Sequence, residues 1–188
     1  MSDRRSMNIV VYCGAKGGSK SIYVEKAREL GEWMADNGHT LVYGAGDAGM
    51  MGAVSDPLVK KGGESIGVTP DFFVLEEVTR DDLTERIVTE GMSDRRLKMM
   101  ELGDAFIALP GGTGTLDEIS EVIALKRLGR FGEKDRPIML YNVEGFYDNL
   151  LRFFDDILAN EFCRPENRAD ILEVRNIEEI AEVLNAAG

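Results

Sequence analysis

The chain has 188 residues, of which 44% are hydrophobic and 30% charged, and its formal net charge is −12. That length suits one well-buried domain, expected over residues 8–188 with 1–7 as a flexible tail. So acidic a chain argues against non-specific nucleic-acid binding and against anionic membrane surfaces, while two cysteines and one histidine make neither a disulfide framework nor a zinc cluster nor a histidine-based triad.

Asn8–Cys13 (NIVVYC) reads as a buried strand, followed by a turn-rich loop, Gly14–Ser19. Cys13 ends the apolar run and reads as a small buried hydrophobe. Ile22, Val24, Ala27, Leu30, Trp33 and Met34 predict a helix over Ser21–Asn37. Thr40–Tyr43 is a second strand feeding a glycine loop, Gly44–Gly49, and then a helix through Lys61 in which Pro57 predicts a break or kink. Ser65–Val68 is a third strand, and the next segment, Thr69–Asp82, has no clear periodicity. Arg86–Thr89 reads as a short strand and Gly91–Leu102 as a helix. The string MSDRR occurs at residues 1–5 and 92–96, but its flanks differ and no longer repeat is present.

Ala105–Leu109 is the next buried strand. Pro110 ends it, Gly111–Thr115 reads as a loop, and Leu116–Leu128 has helical spacing. This strand–glycine loop–helix unit points backbone N–H groups at the positive end of a helix dipole, worth about 0.3–1 kcal/mol to a nearby anion and up to ~2 when partly buried. Asp117 and Glu118 are expected on the first turn. A tight turn with acidic helix-start residues would give the same pattern without any ligand. The stretch lacks both the Gly-Lys-Ser/Thr of the nucleotide-kinase loop and the G-x-G-x-x-G dinucleotide spacing. Pro137–Tyr141 is a strand, Tyr147–Asn160 an amphipathic helix, Ile171–Val174 a last strand and Ile177–Ala187 a closing helix.

The alternation of strands and helices predicts an α/β fold, a doubly wound parallel sheet with helices on both faces. Such a sheet gathers its loops on one rim. Gly14, Gly44, Gly46 and Gly111–Thr115 would meet there with Arg95, Arg96, Asp117 and Glu118. The glycine loops supply N–H donors, the arginines suit phosphate or carboxylate, and the carboxylates are the acid–base groups on offer. An anion clamp with carboxylates fits hydrolysis at a sugar carbon, whose oxocarbenium-like transition state a carboxylate stabilises. Arg95 and Arg96 as a solvated helix face is the plainer reading. Met50, Met51, Met99 and Met100 read as core filler. Lys98 has no surroundings that suggest a pyridoxal pocket.

Pro110–Glu118 matches the signature P-G-G-x-G-T-x-x-E at every fixed position, and Met92–Arg96 meets M-x-x-R-K with Arg for Lys at the last place. Cys13–Lys16 resembles a C-G-S-S loop, and Tyr43–Gly52 resembles Y-G-G-G-x-x-G-L-M-G, with Ala45 and Met50 as departures. On these motifs the chain, over roughly residues 8–162, resembles the LOG (LONELY GUY) family of cytokinin riboside 5′-monophosphate phosphoribohydrolases, often mislabelled as lysine decarboxylases. The resemblance implies a Rossmann-like fold, a homodimer with active sites near the interface, and no cofactor or metal. It implies cleavage of a purine nucleoside 5′-monophosphate to free base and ribose 5-phosphate. Arg95 and Glu118 would be the catalytic pair. Gly112, Thr113, Gly114 and Thr115 would hold the 5′-phosphate, Arg96 would stand for the motif lysine, and Glu77 would contact substrate. The plant-like pattern T-W-x-Q-L-G stands here as Ala124–Gly129, without its threonine and tryptophan, which leaves base recognition open. A carrier or sensor on the same fold, such as a molybdenum-cofactor carrier, is the alternative; a lysine decarboxylase is the weakest rival. With no signal core or membrane span expected, the reading places the protein in the cytoplasm.

Overall fold

The structure is a computed structural model that describes residues 6–75, 79–131 and 136–187. In chain order its elements are β1 Asn8–Tyr12, α1 Ser21–Asp36, β2 Thr40–Tyr43, α2 Gly49–Lys60, β3 Ser65–Pro70, α3 Asp71–Leu75, β4 Glu85–Thr89, α4 Met92–Leu102, β5 Ala105–Ala108, α5 Thr113–Arg127, β6 Ile138–Tyr141, a 3-10 turn Val143–Gly145, α6 Asp148–Ala159, α7 Pro165–Ala169, β7 Ile171–Val174 and α8 Ile177–Ala187.

The seven strands pair in parallel in the order β4-β3-β2-β1-β5-β6-β7. Val10 stands opposite both Val42 and Phe106, so β1 lies at the centre. Successive side chains of a strand point to opposite faces. Ile9 and Val11 pack with residues of α1, α2 and α8 such as Leu30, Val54 and Ile180, whereas Val10 and Tyr12 pack with Met99 of α4, Ile119 of α5 and Leu151 of α6. A strand buried on both faces needs apolar residues throughout, which is why β1 shows no polar alternation.

The prolyl residue expected to break α2 does not do so; the helix runs from Gly49 to Lys60 with Pro57 inside. Pro57 forfeits one helical hydrogen bond, but α2 is braced by α1. A Cβ on Gly31 would stand 2.0 Å from the Val54 carbonyl oxygen and 3.0 Å from the Pro57 ring, so the two helices meet backbone to side-chain-free backbone. Of the expected tail, residues 1–5 lie outside the described residues. Ser6 Oγ donates to the Gly38 carbonyl at 2.6 Å, and Met7 is buried.

Two short helices, α3 and α7, carry no periodicity long enough to read in advance. Pro165 opens α7 at the helix position where its missing N–H costs nothing. The change that bears on the site is in α5. It begins at Thr113 rather than Leu116, so Thr113, Gly114 and Thr115 form the first helical turn and Asp117 and Glu118 fall on the second. Gly112 is the residue before the helix, in extended conformation.

Candidate active site

Between β1 and β5 the strand order reverses, and in open parallel sheets ligands bind in the crevice outside such a point. Here the loops that leave β1 and β5 touch. Gly14 N–H donates to the Pro110 carbonyl at 3.2 Å. A Cβ on Gly111 would stand 2.1 Å from Thr115 Oγ1 and 2.8 Å from the Gly14 nitrogen, so a side chain there would force the two loops apart. Directly above this contact α5 begins. The first N–H groups of a helix have no partner within it, and those of Thr113, Gly114 and Thr115 stand at the dipole's positive end. Gly112, Thr113 and Gly114 are exposed while Thr115 is buried, its side chain held against Gly111.

On the second turn of α5, Glu118 faces inward. Arg95, from the first turns of α4, donates from Nη1 to Glu118 Oε1 at 2.7 Å and from Nε to the Val68 carbonyl of β3 at 2.9 Å. Both side chains are about nine-tenths enclosed, at 9% and 11% exposure. Gly44 makes room for the guanidinium: a Cβ there would stand 2.2 Å from Arg95 Nη2. Burial pushes the Glu118 carboxyl above the ordinary range, against the pull of the Arg95 charge. Cys13, at the end of β1, is likewise raised by burial, then by the Glu118 charge, and stays a thiol.

Arg96 is placed differently. Its Nε donates to Glu121 at 2.6 Å and its Nη1 pairs with Asp117 at 3.2 Å, tying α4 to the outer edge of α5. Arg96 and Asp117 therefore neutralise each other rather than lining the glycine floor. Gly46 bridges to Thr79 beyond the sheet. Glu77 lies outside the described residues. Lys98 pairs with Glu101 at 3.3 Å on the exposed side of α4.

Arg80 has no signal in the sequence pattern, yet it holds this rim. Its backbone N–H donates to the Ala45 carbonyl at 2.8 Å, and its guanidinium binds Ser55, Asp56 at 2.5 Å, and Asp82. The segment after β3 is thereby fastened to the loop that backs Arg95. Ala45 in that loop has φ +66°, a left-handed conformation that glycine adopts freely and alanine does not. A cavity of about 360 Å³ opens beside the Gly14–Gly111 contact, lined by Lys16, Gly17, Gly18, Gly112 and the side chains of Tyr23, Met50 and Phe146. Among the described residues no group of three His, Cys, Asp or Glu side chains could hold a metal ion.

The family model described as "Possible lysine decarboxylase" matches residues 51–184. A probable cytokinin riboside 5′-monophosphate phosphoribohydrolase of Oryza sativa subsp. japonica is 40% identical over 182 residues, covering 97% of this chain and 72% of that protein. A cytokinin riboside 5′-monophosphate phosphoribohydrolase of Arabidopsis thaliana is 36% identical, covering 97% and 78%. Among solved structures, the molybdenum cofactor binding protein of the phototrophic bacterium Rippkaea orientalis superposes with a TM-score of 0.72 at 22% identity, covering 97% of each chain, and shares the fold. With the Arg95–Glu118 pair beside an open helix start, and with relatives of this identity along nearly its whole length, the chain belongs to the LOG family, whose model carries that decarboxylase description.

Proposed function

We propose that the protein hydrolyses the N-glycosidic bond of purine nucleoside 5′-monophosphates, AMP or a cytokinin riboside 5′-monophosphate, to the free base and ribose 5-phosphate. The observation that carries this reading is the enclosed Arg95–Glu118 pair, 2.7 Å apart, one turn along from the unpartnered N–H groups of α5. The 5′-phosphate sits on the Gly111–Thr115 segment, where the bare helix start favours an anion. The ribose faces Glu118. As the C1′–N bond stretches, its electron pair leaves with the base and positive charge grows on C1′; the Glu118 carboxylate stabilises that charge and positions the attacking water. The departing base takes up a proton, and the water loses one. Arg95, anchored on the Val68 carbonyl, fixes the carboxylate's orientation. Enclosure strengthens these interactions relative to water.

The rest of the reading follows the site. Gly14, Gly44 and Gly46 bring backbone close to the nucleotide, and Glu77 contacts it. The exposed side chains Met92 and Leu97 on α4, Leu116 on α5 and Leu128 just after it support a homodimer built on these helices. The reading keeps the protein in the cytoplasm, with its nucleotide substrate. No helix among the described residues is long and apolar enough to cross a membrane.

Incubation with AMP and chromatography for free adenine tests the proposal, with adenosine as control. Adenine from AMP and not from adenosine is the expected outcome. Tight nucleotide binding with no base released would leave a carrier instead. Equal cleavage of adenosine would remove the phosphate role of the helix start. The mass in solution, read by light scattering, tests the dimer.

A further inference from the structure

Gly14 and Gly111 together make a ridge at the foot of α5, and the ridge exists because the β1–β5 ladder slips there. In a parallel pair, each bonded residue gives its N–H to one neighbour of its partner and takes the N–H of the other. Tyr12 stands opposite Ala108, and the Leu109 N–H donates to the Tyr12 carbonyl at 2.9 Å. One step further along this ladder, the Gly14 N–H would go to the Leu109 carbonyl. It goes instead to the Pro110 carbonyl, at 3.2 Å. The slip draws the two loops together, and it leaves the carbonyl of wholly buried Leu109 outside the sheet. A buried carbonyl needs another donor.

Tyr147 supplies it. Its hydroxyl donates to the Leu109 carbonyl at 2.7 Å, across 38 residues of sequence. The side chain is buried, and burial first, then the neighbouring Cys13, pushes the hydroxyl well above its ordinary range, so it keeps its proton. The turn that presents Tyr147 is tightly determined. Asn142 donates its backbone N–H to the Val174 carbonyl at 2.8 Å, accepts the Tyr147 N–H on Oδ1 at 2.7 Å, and donates from Nδ2 to Asp148 at 2.7 Å and Glu173 at 2.8 Å. Glu144 takes φ +53°, a conformation that persists only where its surroundings over-determine it. A Cβ on Gly145 would stand 2.6 Å from Asp148 Oδ2. What this turn fixes is where α6 begins, and hence where the Tyr147 hydroxyl falls.

We propose that Tyr147 is a positioning residue for the 5′-phosphate: its hydroxyl holds the Leu109 carbonyl out of the β1–β5 ladder, and this keeps the Gly14–Gly111 ridge aligned with the first turn of α5. The inference rests on the phosphate placement proposed above. Tyr147 acts through that peptide and not on the substrate. Without the hydroxyl, the Leu109 carbonyl can take the Gly14 N–H, one residue back from its present acceptor. The ladder then completes, the Gly14–Pro110 contact opens, and the N–H groups of Thr113, Gly114 and Thr115 lose their aim. The fold survives this exchange, because the carbonyl has found a donor. The loss therefore falls on phosphate affinity and not on stability.

Tyr147→Phe in the full chain tests this, since it removes the hydroxyl and keeps the ring. Calorimetric titration with ribose 5-phosphate is expected to show affinity about tenfold weaker than wild type, the effect of loosening one charged hydrogen bond. Affinity for adenosine, which has no phosphate, should stay within twofold, as should the midpoint of urea denaturation in molar terms. With AMP, KM should rise about tenfold and kcat stay within twofold. Unchanged ribose 5-phosphate affinity overturns the inference. So does an equal loss for adenosine, or a variant that does not fold, because either would make the hydroxyl a general support of the sheet. If the unaltered protein does not bind ribose 5-phosphate, the phosphate placement falls and this inference with it. If AMP releases no adenine while ribose 5-phosphate binding still depends on Tyr147, the hydrolase reading falls and the role of Tyr147 stands.

Discussion

Replacing Glu118 by Gln removes one charge and almost no volume. The amide oxygen can still accept from Arg95 Nη1, now 2.7 Å from the carboxylate, and Arg95 keeps its bond to the Val68 carbonyl. Two effects on stability oppose each other. The enclosed guanidinium loses its counter-charge, a change in the class of a weakened buried charged hydrogen bond, about 1–3 kcal/mol. Against this, the carboxyl's affinity for its proton is raised by burial, so folding favours its neutral form. A folded-state value above the unfolded one means that the native state binds the extra proton; stability falls as pH rises from the ordinary carboxylate value of 4.5 through the raised one. The variant lacks that loss, so its net destabilisation at neutral pH should stay under about 2 kcal/mol, well within the reserve of a typical domain. Turnover has no such compensation. Without the carboxylate, nothing of negative charge faces C1′, and kcat should fall at least ~10²-fold, or about 2.7 kcal/mol of transition-state stabilisation. Adenine release from AMP gives kcat, calorimetry gives nucleotide affinity, and urea denaturation gives stability. A Glu118→Gln protein that folds and turns over at the wild-type rate would remove Glu118 from the chemistry.

The raised carboxyl should also show in the pH–rate profile: kcat/KM for AMP rises with pH on an acid limb that lies above 4.5, and a limb at or below that value would refute an ionised Glu118 as the working form. Gly111→Ala puts a methyl group 2.1 Å from Thr115 Oγ1, so it should cost about 1–3 kcal/mol in urea denaturation and raise KM for AMP more than it lowers kcat; unchanged stability would show that the two loops are not in contact. At Ala45, relief of the left-handed strain by glycine (about 1–2 kcal/mol) is offset by a lost buried methyl and a freer unfolded chain, so Ala45→Gly should lie within ~1 kcal/mol of wild type, whereas branched Ala45→Val should lose at least ~2. A valine variant as stable as wild type would mean that the loop does not hold that conformation.

What could be read from residue order alone divides along physical lines. The central strands β1, β5 and β6 are short apolar runs, and β2, β7 and α8 fall on their expected residues. The pairing of Arg95 with Glu118 was visible only through the two family motifs, since 23 residues separate them and nothing local joins them. Three things were hidden for identifiable reasons. Gly114 has poor helix propensity, so α5 seemed to start later than Thr113. Pro57 was expected to break or kink α2, because the brace at Gly31 is a tertiary contact. Arg96 seemed free for phosphate, because its partners Asp117 and Glu121 lie on another helix. Arg80 was missed altogether: besides nearby Asp82, its partners Ala45, Ser55 and Asp56 lie 24 or more residues back in the chain.

The central pairing of β1 with β5 has a consequence for how the protein comes into being. The N–H of Asn8 reaches a carboxylate 96 residues later, at Asp104, and the ridge proposed to carry the phosphate is made half from each partner strand's loop. Neither half of the polypeptide holds the whole of the proposed binding site. On the ribosome, the first four strands can pair with one another, but no nucleotide has a place to dock until α5 has emerged and the two segments have met. Cutting the chain between α4 and β5 would therefore yield two inert pieces whose reassembly could be followed by the return of nucleotide binding alone.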